Sequence, residues 1–249
     1  MLKGIIFDLD STLIQTKIDF VEMKKHMIKV LEENGHPKDT LSPTDQTTVM
    51  IMECAKKVWT ENSKTPTECA DIETKIEEIM NKGELDAIVN LVEIDGACDA
   101  IRKLKAKGLK LAILTRSHHA YALKAIEKID VMEEFDVILG RGETPEPKPY
   151  KGAIDHTLKL LNLEPDDVAM IGDHQIDRDS ATNSGTLFVG VNTGRRGMKS
   201  WTDEKPPEHF LESVKDLPNY LNQSDSYSNT MRLKRRFYSP YQLGKAHVS

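Results

Sequence analysis

Apolar and polar positions follow two different rhythms along this 249-residue chain. Residues 3–10 form a short β-branched and apolar run that ends in two acids, which predicts a buried strand opening into a polar loop at its carboxyl end. Beyond it the spacing becomes helical. Ile18, Val21, Ile28 and Leu31, with Met27 alongside, predict a helix over residues 18–31 that Gly35 and Pro37 terminate. A second helix is expected to start at Ser42, with Pro43 in its first turn and Asp45 three residues after the cap. A third is expected at Thr65, followed by Pro66 and by Glu68 to complete a capping box. After Gly83, residues 84–91 predict a further short helix. No strand pattern interrupts residues 17–91, so this stretch reads as an all-helical insertion.

From residue 97 the chain alternates helix and strand. Helices are predicted at 97–107, 118–129, 151–161 and 176–184, and strands at 109–114, 136–139, 168–171 and 186–191. Such alternation implies an α/β fold with a parallel sheet flanked by helices on both faces. The expected organisation is a core of residues 1–16 and 92–221, a helical insertion of residues 17–91, and a polar, basic tail of residues 222–249 expected to be flexible. No internal repeat is present.

In folds of this kind ligands bind at the carboxyl ends of the strands, and the reactive side chains fall there. Asp8 and Asp10, one residue apart, can converge on a single cation or divide into nucleophile and acid. Thr115 and Arg116 follow an apolar strand and precede a helix N-terminus, a natural anion site. Lys148 stands between Pro147 and Pro149 at a helix start. Asp173 and Asp177 follow Gly172, one helical turn apart.

Composition narrows the classes further. A hydrophobic content of 39% and a charged content of 30% describe a globular chain, and the mean hydropathy of −0.47 excludes a membrane protein. The apolar run of residues 2–9 is too short to span a bilayer and lacks the flanks of a signal peptide, so a cytoplasmic location is expected. The net charge of −6 is uneven, because the tail carries five basic residues (Arg232, Lys234, Arg235, Arg236, Lys245) against Asp225. The remaining body is strongly acidic and repels nucleic acid. Cys54, Cys69 and Cys98 show no CxxC pairing and read as plain thiols, with no disulfide frame or zinc site.

Taken in order, Asp8-x-Asp10-x-Thr12, Thr115 after its strand, Lys148 preceded by Pro147, and Gly172-Asp173-x-x-x-Asp177 resemble the four signature motifs of the haloacid dehalogenase superfamily. That resemblance implies a Rossmann-like core, with residues 17–91 similar to the family's C1-type helical cap, as in phosphoglycolate phosphatases and β-phosphoglucomutases. It implies Mg²⁺-dependent hydrolysis of small phosphate monoesters through an aspartyl-phosphate. In that scheme Asp8 is the nucleophile and Asp10 the general acid–base. Mg²⁺ is held by Asp8, the carbonyl of Asp10 and Asp173, while Lys148, Thr115 and the N–H of Arg116 grip the phosphate. Asp177 orients Lys148 or a magnesium-bound water. The implied partner is a small phosphorylated metabolite, with no nucleic acid and no membrane.

Two further function classes fit the same residues: a phosphomutase of the β-phosphoglucomutase type, and a non-catalytic interaction protein working through its basic tail. A dehalogenase is disfavoured by the presence of Asp10. His174, His118 and His119 read as loop and helix-start residues, and Lys24 and Lys25 as a solvated helix face. Gly140-Arg141-Gly142 lacks the third glycine of a dinucleotide loop. The run of residues 194–200 misses the P-loop spacing by one residue.

Overall fold

The computed structural model describes residues 2–201 and 207–222. Its central element is β1 (Gly4–Phe7), every residue of which is buried. The chain then forms the two-residue β2 (Ile14–Gln15), helices α1 (Phe20–Glu33), α2 (Thr48–Glu61) and α3 (Pro66–Ala87), and the two-residue β3 (Val92–Glu93). The alternating half follows: α4 (Ala97–Ala106), β4 (Lys110–Leu114), α5 (His119–Lys128), β5 (Val137–Leu139), α6 (Lys151–Leu161), β6 (Val168–Gly172), α7 (Gln175–Ser184), β7 (Leu187–Val191) and β8 (Phe210–Leu211).

Six strands make one parallel sheet in the order β5-β4-β1-β6-β7-β8, so the expected α/β, Rossmann-like architecture is what the chain adopts. β1 lies between β4 and β6, with Phe7 in register with Ile113 on one side and Ile171 on the other. The successor of each of these three residues on the sheet edge therefore lies near the others. Alternation along β1 feeds both layers. Ile5 and Phe7 pack with Ile101, Leu104, Tyr121 and Ile126 of α4 and α5 on one face. Ile6 packs with Ile154, Leu158 and Ala181 of α6 and α7 on the other. Each such buried side chain stabilises the sheet by roughly 1.5–3 kcal/mol, which anchors the strand ends rigidly.

The three helices between β2 and β3 have a core of their own, built from Met23, Met27 and Leu31 of α1, Ile51, Ala55 and Trp59 of α2, and Ile72, Ile76 and Met80 of α3. Among the described residues its sheet-like tie to the rest is the antiparallel β2–β3 ribbon at the two chain crossings, which the sequence pattern does not announce.

Two expectations need correction. The second helix begins at Thr48, capped by the Thr47 hydroxyl, and not at Ser42. Ser42 and Asp45 do exchange cap-like hydrogen bonds, but they close only a single turn before the real cap. The predicted break at Gly83 is absent, and α3 runs through it to Ala87, followed by a 3₁₀ turn at Ile88–Asn90. A Cβ at Gly83 would stand 3.6 Å from the Met23 sulfur, so the residue marks where α3 and α1 meet. The Thr65–Glu68 capping box forms as expected. The basic tail, from residue 223 onward, lies outside the described residues. No helix among the described residues is long and apolar enough to cross a membrane.

Candidate active site

All seven side chains singled out above line one cavity of about 920 Å³ between the carboxyl edge of the sheet and the helical segment: Asp8, Asp10, Thr115, Arg116, Lys148, Asp173 and Asp177. Their convergence follows from the parallel order of the strands. Asp8 directly follows β1, and its backbone N–H donates to the Ile171 carbonyl, extending the ladder by one residue. Thr115 does the same after β4, donating to Leu139.

The floor of the cavity is an ionic cluster. Lys148, 2% exposed, donates from Nζ at 2.6 Å to Asp8 Oδ1 and at 2.6 Å to Asp177 Oδ1. Carboxylate oxygens of Asp8, Asp173 and Asp177 all lie within 4.8 Å of one another. Three buried acids thus face one cation. Burial pushes the Asp8 carboxyl up to about 6, with Lys148 pulling it down and Asp177 pushing it up. Asp173 is raised well above the usual carboxylate range by burial and then by Asp8 and Asp177. Burial acts to lower the Lys148 value, but Asp177 and Asp8 outweigh it and hold the ammonium charged. Excess negative charge among oxygen donors is what a hard divalent cation relieves, so the residues fit such an ion. The close approach is permitted by two glycines: a Cβ at Gly172 would lie 2.5 Å from the Asp177 side chain, and one at Gly194 would lie 2.6 Å from Asp173 Oδ2.

Asp10 is held separately. Its Oδ1 accepts from the buried Tyr121 hydroxyl at 2.6 Å and from Thr16 at 3.4 Å, and its Oδ2 accepts from Ser117 at 2.9 Å. Burial raises its carboxyl, and the Tyr121 and Ser117 donors oppose that rise. Thr115 Oγ1 accepts from the Ser117 N–H at 3.1 Å, and Thr12 reaches Asp173 Oδ1 at 3.4 Å. Among the described residues Arg116 has no salt-bridge partner. Its guanidinium points into the cavity and donates to Thr48 of the helical segment at 2.8 Å, and burial lowers its affinity for its proton. His174 caps α7, its Nδ1 accepting from the Ile176 N–H, while Asp177 Oδ2 accepts from the His174 N–H. Asp177 therefore serves the helix end and Lys148 together.

Several groups at the site lie outside the motifs. Arg195 follows β7 and donates to the Thr16 carbonyl and hydroxyl and to the Ile18 carbonyl, gripping the linker into α1. Arg141 follows β5 and reaches Glu77, Asn81 and Glu84 of α3. Glu84, 2% exposed, also accepts from the His118 N–H at 2.9 Å. Both arginines sit in the glycine-flanked runs that fail as nucleotide loops. The usable signal was a basic residue just past a strand's carboxyl end.

A Rossmann-like parallel sheet with these acids at the carboxyl ends of β1 and β6, and this lysine in the loop before α6, defines a buried acidic site suited to a cation and an anionic ligand. Residues 5–191 match the family model of haloacid dehalogenase-like hydrolases, and the chain belongs to that family. A pyrophosphatase PpaX of Bacillus cereus (strain G9842) is 23% identical over 222 residues, covering 87% of this chain and 94% of the relative. A β-phosphoglucomutase structure from Clostridium difficile superposes with a TM-score of 0.65 at 16% identity, over 93% of this chain and all of that one. A predicted phosphoglycolate phosphatase from Haemophilus somnus 129PT gives a TM-score of 0.59 at 18% identity, over 88% and 98%. At these identities the structural likenesses speak for the fold.

Proposed function

We propose that the protein hydrolyses small phosphate monoesters of the phosphoglycolate kind with the help of Mg²⁺, by way of an aspartyl-phosphate on Asp8. The observation that supports this reading most is the buried cluster of Asp8, Asp173 and Asp177 around Lys148 at the floor of a cavity large enough for a metabolite. Asp8, Asp173 and the Asp10 carbonyl would hold the cation, with Asp177 at hand. When bound there, Mg²⁺ supplies positive charge against the doubly negative ester. Residues 17–91 act as a cap over residues 1–16 and 92–221.

In this reading Asp8 attacks phosphorus in line, and the ester oxygen leaves with a proton from Asp10. Lys148 stays charged between its two carboxylates and offers its remaining proton to a phosphoryl oxygen. The Thr115 hydroxyl and the Arg116 N–H contact the other oxygens ahead of α5. Asp10 then takes a proton from the water that opens the aspartyl-phosphate, which restores Asp8. Tyr121 and Ser117 fix the direction of the Asp10 carboxylate between these steps.

The test is release of inorganic phosphate from a panel of phosphorylated metabolites by the purified chain, with Mg²⁺ and with EDTA. Metal-dependent release from small esters is the expected result. Isomerised sugar phosphate without net phosphate release would replace hydrolase by mutase, and no turnover of any ester would overturn the proposal.

A further inference from the structure

The cavity holds more positive charge than cleaving one phosphoryl group requires. Lys148 is consumed by Asp8 and Asp177, Arg141 by Glu77 and Glu84, and Arg195 by the Thr16 and Ile18 carbonyls. Besides the exposed Lys17, three cations on the cavity wall remain, and among the described residues none of the three is ion-paired. They come from three separate elements. Lys24 is on α1 of the helical segment, Arg116 follows β4, and Arg196 follows β7. Lys24 donates to the Gln46 carbonyl and Arg116 to the Thr48 hydroxyl, so neutral oxygens orient both side chains without cancelling their charge.

Lys24 lies near enough to both arginines to feel their charge. After burial, Arg196 and Arg116 are the main influences lowering the Lys24 ammonium below its ordinary range. Asp45 faces Lys24 and Arg196, but it is exposed at the rim and engaged by the Ser42 and Thr44 hydroxyls, while Arg116 is drawn toward Asp177 and Asp8 at the floor. Mutually repelling cations on a cavity wall cost stability when the cavity holds only water, and an anion placed among them reverses that cost.

We infer that Lys24, Arg116 and Arg196 form a subsite for a second phosphoryl group, so that the preferred substrate is a small organic bisphosphate or diphosphate cleaved at its Asp8 end. This rests on the hydrolase reading above and adds the substrate class. A phosphoryl group is favoured over a carboxylate because it presents three oxygens to three cations carried by three elements, whereas one carboxylate satisfies a single guanidinium fork. Because Lys24 belongs to the helical segment and the two arginines to the core, the remote phosphoryl group also bridges the two. A substrate with one charged end lacks that bridge.

The experiment compares kcat/KM for fructose 1,6-bisphosphate, 3-phosphoglycerate and glycerol 3-phosphate in the wild type, Lys24→Gln and Arg196→Gln. The wild type is expected to prefer the bisphosphate to glycerol 3-phosphate by about a hundredfold, with the phosphorylated acid between. Each substitution should cut that ratio about tenfold or more, one charge-assisted contact being lost. In parallel, methylenebisphosphonate in EDTA should raise the melting temperature of the wild type and raise it less in both variants. A ratio near one, a ratio the variants leave unchanged, or 3-phosphoglycerate equal to the bisphosphate would overturn the inference while leaving the hydrolase reading standing. Absence of turnover on all three esters would count against the hydrolase reading, and the bisphosphonate shift would still decide the subsite.

Discussion

Replacing Asp8 by Asn should abolish turnover and at the same time make the metal-free protein more stable. In the folded chain the Asp8 carboxyl titrates near 6, raised from an ordinary 3.8 chiefly by burial. Unfolding returns it to the ordinary value, so between these two pH values the unfolded state ionises first and gains on the folded one. Above about pH 6 both are ionised, and the folded state carries the full penalty, about 3 kcal/mol for a shift of roughly two units. Below the ordinary value both are protonated and the penalty vanishes. Asn keeps an oxygen that accepts from Lys148 and removes the charge facing Asp173 and Asp177. For a chain of this size the gain corresponds to roughly 5–10 °C. The assay is a melting curve in EDTA at pH 7.5 and again at pH 3.5. A higher midpoint at pH 7.5 with no difference at pH 3.5 is expected. An unchanged or lower midpoint at pH 7.5 would refute the picture of a site strained by its own acids.

Three further outcomes follow from particular contacts. Lys148→Met leaves Asp8 and Asp177 buried without their cation, so the metal-free protein should lose about 3–5 kcal/mol at neutral pH, read by urea denaturation, and recover part of it in acid. Arg141→Ala removes the clamp on α3 and strands Glu84, so amide exchange along Pro66–Ala87 should accelerate well before that of β1, with exchange mass spectrometry as the readout. Burial and the neighbouring Glu93 push the Cys98 thiol up to about 12, so iodoacetamide at pH 8 should label Cys54 and Cys69 and leave Cys98 unmodified until the chain unfolds.

The core and its chemistry were legible because they are written locally. Buried strands ending in acids, helices bounded by glycine, and short motifs at strand ends each carry their own signal, and a parallel sheet brings those ends together automatically. Asp8, Thr115, Lys148 and Asp173 needed no knowledge of distant contacts. Tyr121 did: its hydroxyl meets Asp10 across 111 positions of sequence, and a tyrosine on a helix otherwise looks like core. Arg195 and Arg141 were hidden for a related reason, since their partners are backbone carbonyls and an α3 face that only the placement of the helical segment brings near. The start of α2 was misread because the Ser42–Asp45 turn uses the same hydroxyl and carboxylate chemistry as a true cap, and competition with Thr47 is decided by how Ile51, Ala55 and Trp59 reach their core.

The claim on which the rest depends is that Asp8 is phosphorylated and Asp10 moves the proton. Asp10→Asn retains the backbone carbonyl and an acceptor for Tyr121 but cannot give or take a proton. General acid–base assistance is worth roughly a hundred to ten thousand fold, and an aryl phosphate needs less of it to leave than the aspartyl-phosphate needs to be hydrolysed. With such a substrate and Mg²⁺, the variant should release a burst of phenol and then turn over slowly. Mass spectrometry of the quenched protein should find one added phosphoryl group on the peptide that contains Asp8. Steady turnover at the wild-type rate, with no phosphorylated peptide, would contradict the account.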